Sequence, residues 1–456
     1  MSIGKITFLG AAQTVTGSKF LLEVLNLKIL IDCGLFQGLK PLRLLNWETL
    51  LFDVKSIQYT LLTHAHLDHC GYLPCVVKHG YNNPIYGTPA TLEVAKIILA
   101  DSAKIQQEDA DKANKLMYSK HQPALPLYTQ QDVENTIRLF TPVPFNEWHT
   151  LEKEIRFRFR PAGHIPGAAF IELLAAQTRF VFSGDIGNWN DPLMNDPEKP
   201  ESADVLLLES TYGNRNHPTI DENKIASAIN STLKKGGTVI IPGFAVERAQ
   251  LLMYYLTQLR VKELIPHVPV YLDSPMANQV LRVIGDYLSD MKIDNDVFTG
   301  MISNINIIAD YDETLKLCTD TSPKIIIAAS GMATGGRVLT YFDYFISNSK
   351  NLVLLAGYQA PGTRGRLLLD GADHLKFYGK LHKVRAKVTC IEGLSAHADQ
   401  TGLINWLSSI SNKPEYVFLV HGDQEASIAL QKKIKKILKW DTYIPQLNES
   451  VTINLK

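Results

Sequence analysis

One stretch of the chain reads Ile57-Gln58-Tyr59-Thr60-Leu61-Leu62-Thr63-His64-Ala65-His66-Leu67-Asp68-His69, an apolar run followed by three imidazoles and a carboxylate. In an extended segment, residues two apart point to the same side, so His64 and His66 can converge on one cation. On a helix they would not face each other. Asp68 and His69 lie past that pair, where a turn can direct them to a second cation. Nitrogen and oxygen donors without a thiolate suit zinc in an open, catalytic site, so the stretch predicts a metal centre at the end of a strand.

The bulk composition excludes several classes of protein. The 456 residues are 45% hydrophobic, enough for a large core and two or three domains. Lys plus Arg and Asp plus Glu both number 46, so any contact with nucleic acid needs a local patch. The five cysteines form no CxxC pair, which predicts free thiols in a reducing compartment, and we expect a cytoplasmic protein. No apolar run approaches the roughly 18 residues that span a bilayer, so we expect no membrane association.

Side chains capable of metal or proton chemistry recur directly after apolar runs that are typical of strands. The residues placed in this way are Asp32, His164, Asp185, Glu209, His397 and His421. Taken singly, His164 is more often a hydrogen-bonded loop residue, and Asp185 is more often a turn aspartate. Their recurrence predicts that they join the His64 cluster.

The pattern of the chain changes along its length. Residues 91–107 have helical spacing, and the charged, Pro-punctuated residues 108–127 predict a loop. From about residue 225 to 390, strand and helix patterns alternate, with a predicted helix from Thr334 to Phe345. Such alternation implies right-handed crossovers and a parallel sheet that carries helices.

Two glycine-rich turns in this region predict contacts with phosphate. The first, Ser330-Gly331-Met332-Ala333-Thr334-Gly335-Gly336-Arg337, lies between a strand and a helix, where backbone N–H groups can face an anion. The second runs from Gly357 to Arg366 and adds two arginines, which suit bidentate phosphate contact. The predicted contacts are Ser330, Gly331, Met332, Gly335, Gly336, Arg337, Arg364 and Arg366. The alternatives are glycines that serve only a tight turn and a solvated charged loop.

With these residues in view, the sequence resembles the β-CASP nucleases of the metallo-β-lactamase superfamily. The first four motifs of that family match Asp32, His64-x-His66-x-Asp68-His69, His164 and Asp185. The three motifs that mark β-CASP proteins match Glu209, His397 and His421. The resemblance covers nearly the whole chain, and it is closest to bacterial and archaeal RNA-processing members and to the endonuclease subunit of the pre-mRNA 3′-end cleavage complex.

The resemblance implies an α/β fold with a divided first domain. Residues 1–209 and 391–456 would form an αββα metallo-β-lactamase sandwich. Residues 210–390 would form an inserted β-CASP domain with a Rossmann-like parallel sheet.

The resemblance also implies a role for each candidate site residue. One zinc ion would bind His64, His66 and His164, the other would bind Asp68, His69 and His421, and Asp185 would bridge the two. Asp32 would hold the bridging water or a ligand in place. His397 would be the general acid toward the leaving 3′-oxygen, and Glu209 would orient it and favour the imidazolium.

The implied activity is that of a zinc-dependent ribonuclease in RNA processing or decay. Two zinc ions would supply hydroxide for hydrolysis of a phosphodiester, leaving a 5′-phosphate and a 3′-hydroxyl. Cleavage would be endonucleolytic, 5′–3′ exonucleolytic or both. We expect RNA as the substrate, a homodimer as one oligomeric state open to the chain, and no obligate protein partner.

Four alternatives differ in what they require of the residues. Because water is the nucleophile, the chemistry also admits a DNA-directed β-CASP nuclease. A small-molecule metallo-hydrolase would not need an inserted domain with an anion cradle. A non-catalytic partner subunit is expected to lose ligands, and a di-iron oxidoreductase favours a carboxylate where His66 stands.

Overall fold

The structure is a computed structural model that describes residues 3–117, 119–360 and 362–456. Pro361, part of the second predicted phosphate-binding turn, lies outside the described residues. The strands are β1 (Ile3–Phe8), β2 (Phe20–Val24), β3 (Leu27–Ile31), β4 (Tyr59–Leu61), β5 (Ile85–Gly87), β6 (Phe140–Pro142), β7 (His149–Glu152), β8 (Ile155–Pro161), β9 (Ala169–Ala175), β10 (Thr178–Phe182), β11 (Val205–Glu209), β12 (Thr238–Pro242), β13 (Val270–Asp273), β14 (Asn306–Ile307), β15 (Lys324–Ala328), β16 (Leu352–Ala356), β17 (His374–Phe377), β18 (Lys380–Lys383), β19 (Lys387–Ile391), β20 (Tyr416–Val420) and β21 (Ser450–Asn454).

Helices connect many of these strands. They are α1 (Lys40–Leu44), α2 (Leu67–Cys70), α3 (Leu73–Lys78), α4 (Pro89–Leu116), α5 (Gln130–Ile137), α6 (Glu222–Leu233), α7 (Arg248–Val261), α8 (Pro275–Asp286), α9 (Asn295–Ser303), α10 (Tyr311–Thr319), α11 (Arg337–Phe345), α12 (Arg364–Leu369), α13 (Gln400–Leu407) and α14 (Gln424–Ile437). None of the helices in the described part of the chain has the length and apolarity that a membrane span requires.

The chain folds into two compact units. The first holds the described residues up to Asn216 together with His397–Lys456, and the second is His217–Ala396. The resemblance implies domain boundaries at residues 209 and 391. The last strand of the second unit, β19, reaches Ile391 and pairs with β16.

The first unit is a sandwich of two sheets. One has the strand order β21-β1-β2-β3-β4-β5-β6, and the other has the order β20-β11-β10-β9-β8-β7. Alternate side chains of both sheets form a common buried core; Phe8 of β1 and Phe418 of β20 meet there with ring centroids 5.0 Å apart. Fully burying a side chain of this size contributes roughly 1.5–3 kcal/mol.

Helices cover the outer faces of the sandwich. Trp406 of α13 and Leu430 of α14 are fully buried in one cluster with Phe170 and Leu206 of the second sheet. On the other side, α2, α3, α4 and α5 pack together, and α4 contacts β6. The unit is therefore an αββα sandwich, as the resemblance implies.

The ends of parallel strands determine where the functional side chains lie. In the second sheet, β11 runs parallel to β10 and β20, and Glu209 pairs in register with Val420. In the first sheet, β3 and β4 are parallel neighbours that end at Ile31 and Leu61. Residues that follow these strands therefore leave the sheets at neighbouring positions along one edge.

The second unit is built on a parallel sheet with the order β14-β13-β15-β12-β16-β19. Ile240 and Ile326 of its central strands pack in one cluster with Val338 and Phe342 of α11. Every residue of β12, β15 and β16 is buried, as expected of a parallel sheet that is covered on both faces. The predicted Rossmann-like sheet is confirmed.

Three local predictions are wrong. Helix α4 continues to Leu116, because Ala110 and Ala113 extend its buried face past residue 107 while the charged residues stay outside. Helix α11 begins at Arg337 rather than Thr334, after Gly336 with a φ of 72°. Arg364 and Arg366 lie on α12, whose first turn is capped by the Thr363 side chain, and not in a turn.

Candidate metal centre and active site

The first donor group forms around the two histidines that follow β4. His64 and His66 lie in extended backbone before α2, and His64 Nε2 is 3.2 Å from His66 Nδ1. His164, which follows β8, places its Nε2 3.2 Å from the same His66 nitrogen. One ligand atom from each, with one from Asp185, lies within 4.8 Å of every other.

The second donor group combines α2 with the end of β20. Asp68 and His69 occupy the first turn of α2, and His421 follows β20 directly. His69 Nε2 is 3.1 Å from His421 Nε2, which in turn is 3.5 Å from Asp68 Oδ2. These three residues form a separate cluster with metal-ligand geometry.

Asp185 lies between the two groups and offers one oxygen to each. Its Oδ2 is 3.4 Å from His64 Nε2 and 3.6 Å from His164 Nε2. Its Oδ1 is 3.3 Å from His69 Nε2 and 3.4 Å from His421 Nδ1. This Oδ1 is buried and accepts no hydrogen bond from a described residue, so it is a donor atom available to a cation.

The distances within both groups fit zinc. At zinc–nitrogen distances of about 2.0–2.1 Å and tetrahedral angles, two ligating nitrogens lie about 3.3–3.4 Å apart. The histidine nitrogens of the two groups are separated by 3.2 Å and 3.1 Å. Imidazole and carboxylate donors without a thiolate are also the set expected at an open zinc site.

A hydrogen-bond chain behind the site orients two of the histidines. His69 Nδ1 donates to Asp32 Oδ2 at 2.8 Å, so its Nε2 is the nitrogen that faces the cluster. The Thr63 hydroxyl lies 2.8 Å from the same carboxylate oxygen and 3.1 Å from His64 Nδ1. If this hydroxyl donates to Asp32 and accepts from His64, then His64 Nε2 also presents a lone pair.

Close backbone packing holds α2 against the end of β3. Cys33 N donates to His69 O at 2.7 Å. A Cβ added to Gly34 would lie 1.6 Å from Asp68 O, so only glycine permits this approach. The five cysteines of the chain are free, and Cys33 and Cys70 beside the site are buried rather than ligating.

Burial sets the protonation of the first donor group. It lowers the pKa of His64 to about 3 and that of His66 to about 4, and it holds the pKa of His164 well below its ordinary value. These imidazoles are therefore neutral at pH 7. Neutral imidazole is the form that binds a metal ion.

In the second donor group, the pKa of His69 is shifted in the opposite direction. Burial lowers the pKa of His69, but the charges of Asp185 and Asp32 outweigh it and raise that pKa well above its ordinary value. Burial raises the pKa of Asp185, yet the neighbouring histidines, led by His421, hold it well below its ordinary value. A divalent cation between these groups would oppose the protonation of His69.

A further histidine lies beside the two groups and pairs with a buried carboxylate. His397 Nδ1 is 3.1 Å from Glu209 Oε2 and 3.9 Å from Asp185 Oδ2. Glu209 is held in place because its Oε1 accepts from Ile186 N at 2.6 Å. Burial lowers the pKa of His397, but the charges of Glu209 and Asp185 outweigh it and raise that pKa to about 9. His397 therefore has the charge and the position of a proton donor.

Comparison with known proteins places the chain in a family. Residues 28–239 match the sequence model of a beta-lactamase superfamily domain, residues 249–368 that of the Beta-Casp domain, and residues 381–445 that of a Zn-dependent metallo-hydrolase RNA specificity domain. Ribonuclease TTHA0252 of Thermus thermophilus is 34% identical over 94% of this chain and 95% of its own length. The chain belongs to the β-CASP nucleases of the metallo-β-lactamase superfamily.

Two transcription termination factors match nearly all of this chain over a smaller share of their own length. Transcription termination factor FttA of Methanosarcina mazei is 30% identical over 96% of this chain and 70% of its own length. FttA of Pyrococcus horikoshii is 29% identical over 99% of this chain and 71% of its own length. A solved protein of unknown function from Enterococcus faecalis V583 has a TM-score of 0.57 and 14% identity over 99% of this chain and 100% of that one, which shows a shared fold.

The residues predicted to contact phosphate lie in the second unit of this β-CASP chain. Ser330 Oγ accepts from the backbone N–H groups of Thr334 and Gly335 at 3.1 and 3.4 Å. Gly331 O accepts from the Gln359 side chain, Met332 O accepts from Gly365 N, and Gly336 precedes α11. Several polar groups of the first turn therefore already bond within the protein.

The arginines predicted to contact phosphate are engaged as well. Arg337 forms an ion pair with the buried Asp273. Arg364 donates to backbone carbonyls that include Lys376 O, at 2.9 Å. Arg366 pairs with Asp370 at 2.9 Å.

Two threonines support the site although the sequence did not single them out. Thr63 links Asp32 to His64, and the only local signal is its position directly before the histidine. Thr211 Oγ1 donates to His421 O at 2.9 Å and lies 3.2 Å from His421 Nδ1. Thr211 follows Glu209 by two residues, but its partner is 210 residues away, so this contact depends on the fold.

Proposed function

We propose that the chain is a zinc-dependent ribonuclease that uses two zinc ions to hydrolyse phosphodiester bonds in RNA processing or decay. The observation that carries this proposal is the Asp185 carboxylate, whose two oxygens face two separate donor groups. The matched RNA specificity domain and the names of the relatives, a ribonuclease and transcription termination factors, support RNA as the substrate.

His64, His66 and His164 would hold one ion, and Asp68, His69 and His421 would hold the other. Bound close together, two zinc ions lower the pKa of a shared water and neutralise charge that grows on the phosphate oxygens.

The ligands need support to keep their positions. Asp32 fixes the Nδ1 tautomer of His69 through their 2.8 Å hydrogen bond. Asp185 keeps both donor groups at a fixed separation, because one rigid carboxylate contacts each of them. This arrangement requires no movement of the ligands during the reaction.

His397 would protonate the leaving 3′-oxygen. Glu209 occupies its Nδ1, so the proton would leave from Nε2. Glu209 is fully buried and is anchored by Ile186 N, so the imidazole ring is held in one orientation. A positioned acid of this kind contributes typically 10²–10⁴-fold in rate.

Product lengths test this proposal. The purified protein would be incubated with zinc and end-labelled RNA that bears a 5′-triphosphate or a 5′-monophosphate, with DNA of the same sequence in parallel. Internal fragments from both RNAs indicate endonuclease action, whereas stepwise shortening of the 5′-monophosphate RNA alone indicates 5′–3′ exonuclease action. Asp185→Asn should abolish either pattern. Preferential cleavage of the DNA would favour the DNA-directed alternative, and no cleavage of either polymer would refute the proposal.

A further inference from the structure

The hairpin formed by β17 and β18 is a basic surface in a chain whose charges balance overall. Residues 374–387 contain five Lys or Arg and no Asp or Glu. The five are Lys376, Lys380, Lys383, Arg385 and Lys387. Such a local excess is what contact with nucleic acid requires of a neutral protein.

The inner side of the hairpin is fixed to the core of the second unit. Leu375 and Phe377 are buried in the cluster that includes α11. His382 stacks on Phe377 with ring centroids 3.8 Å apart. Because side chains alternate across a strand, this anchoring determines which residues face outward.

The outer side of the hairpin carries His374, Lys376, Leu381 and Lys383. In the antiparallel register, His374 lies opposite Lys383, and Lys376 lies opposite Leu381, so all four share one face. All four are exposed, and Leu381 is 68% accessible. The face thus combines cations with an apolar side chain.

The lysines of this face are not neutralised. None of the five basic residues of the hairpin region makes an ion pair with a residue that the structure describes, whereas Arg366 pairs with Asp370 and Arg337 with Asp273. Asp343 lies 3.4 Å from His382. Neither Asp343 nor Asp373, which directly precedes β17, forms an ion pair with a lysine of the hairpin in the described part of the chain. Lys376 and Lys383 lie diagonally across the two strands, so they repel each other until an anion binds.

Two exposed aromatic rings accompany these cations. Tyr378, at the turn of the hairpin, is 56% accessible, and Tyr311 at the start of α10 is 49% accessible. Both hydroxyls lie within 3.4 Å of Thr340 Oγ1 on α11, so both rings border the same small area. Exposed aromatic rings beside unpaired cations are the combination that binds single-stranded nucleic acid, because bases stack on the rings.

We propose that this hairpin face binds the backbone of single-stranded RNA, with Lys376 and Lys383 contacting phosphates and Tyr378 stacking on a base. The proposal rests on the proposed function in taking RNA as the substrate. It assigns RNA contact to residues other than Ser330–Arg337, Arg364 and Arg366. The competing explanation is that these lysines only keep an exposed strand edge from pairing with another chain.

The first test measures binding of a fluorescein-labelled single-stranded RNA by anisotropy across a salt titration. Lys376→Gln with Lys383→Gln should remove two phosphate contacts and lower the slope of log affinity against log salt by about 1.4. The same relation predicts a loss of affinity of about 25-fold at 0.1 M salt. Lys234→Gln with Lys235→Gln is the matched control, because those exposed lysines lie in the same unit and change the net charge equally.

The second test separates stacking from charge. Tyr378→Phe should bind like the parent protein, because it keeps the ring and loses only the contact with Thr340. Tyr378→Leu should weaken binding by about fivefold or more, with the salt slope unchanged. An equal effect of the two substitutions would exclude stacking.

Cleavage of the same RNA, measured in parallel, keeps this inference distinct from the proposed function. A parent protein that binds RNA but does not cleave it, with binding lost in the lysine variant, would refute the nuclease proposal and support the hairpin. A lysine variant that melts at the parent temperature and binds RNA with unchanged affinity and slope would overturn the hairpin proposal. The hairpin proposal would also be overturned if the parent protein bound no RNA, or if the only change in the lysine variant were the loss of a homodimer.

Discussion

The histidines of the site differ in what holds the ring nitrogen that faces away from the donor groups. His69 is held by Asp32, which is the arrangement of a metal ligand whose tautomer is fixed. His397 is held by Glu209, which belongs to neither of the two groups proposed to bind zinc. We therefore expect that replacing a zinc ligand removes zinc, whereas replacing His397 slows cleavage.

Replacing His397 should separate proton transfer from metal binding. His397→Ala should keep both zinc ions and bind RNA nearly as well as the parent protein, yet cleave it at least about a hundredfold more slowly. A substrate with sulfur at the 3′-bridging position should recover part of the rate, because thiolate leaves without protonation. His64→Ala serves as the comparison, since it should lose zinc and show no such recovery. Loss of zinc from His397→Ala would remove the general-acid role.

Replacing Asp32 should weaken one zinc ion selectively. Asp32→Asn keeps the shape of the side chain, and asparagine tolerates the φ of 56° at this position. Without the carboxylate, His69 loses its orienting partner, and we expect the affinity of the second zinc ion to fall about 10–100-fold. Zinc content measured against a competing chelator should therefore fall from about two ions to one. Retention of both ions at unchanged affinity would show that Asp32 does not support the ligand.

The individual residues of the site could be proposed from sequence because each follows an apolar run directly, as His64 follows β4 and His421 follows β20. Asp32 and Glu209 could be proposed in the same way, but other contacts between residues far apart in sequence could not. Thr211 contacts His421 across 210 positions, and Arg337 is paired with Asp273 across 64 positions. Such pairs depend on which strands become neighbours, and no local pattern specifies that.

Among the elements of the fold, the ends of the strands determine where the functional side chains lie. Parallel pairing brings the ends of β11 and β20 together, so Glu209 lies in register with Val420, the residue before His421, although the second unit lies between these strands in sequence. The helix boundaries were predicted less well. In α4, the buried alanines lie among charged residues, so the helical pattern is weak there. The hairpin of β17 and β18 lacks the simple alternation that predicts strands, because three of the four residues of β18 are exposed.

A buried lysine next to β2 should make the stability of the first unit depend on pH. Burial lowers the pKa of Lys19 from 10.5 to about 8, while its ammonium donates to Gly34 O at 2.7 Å. The unfolded chain therefore binds more protons than the folded one between about pH 8 and 10.5, so this residue contributes increasing stability as pH rises through that window.

The measurement is a comparison with Lys19→Met, a variant that keeps the length of the side chain without the charge. Across pH 7 to 11, the free energy of unfolding of the parent protein should rise relative to the variant by about 3 kcal/mol, since one pKa unit corresponds to about 1.4 kcal/mol. A constant difference over this range would mean that Lys19 is not desolvated in the fold.

For the whole molecule, zinc binding should be coupled to folding, because the ligands come from distant parts of the sequence and meet only in the folded first unit. Free zinc at 100 times its dissociation constant should stabilise the protein by about 2.7 kcal/mol for one site and raise the melting temperature by several degrees. Asp185→Asn should reduce the rise, whereas Asp441→Asn, at an exposed ion pair, should leave it intact. A melting temperature that stays the same when zinc or a chelator is added would contradict the coupling.

We propose that the chain hydrolyses RNA with water as the nucleophile, and mass spectrometry of the product ends after cleavage in water enriched in oxygen-18 decides this. We predict a single labelled oxygen in the new 5′-phosphate and an unlabelled 3′-hydroxyl on the other fragment. Unlabelled fragments that end in a 2′,3′-cyclic phosphate would show that the 2′-hydroxyl attacks instead, and would contradict the claim.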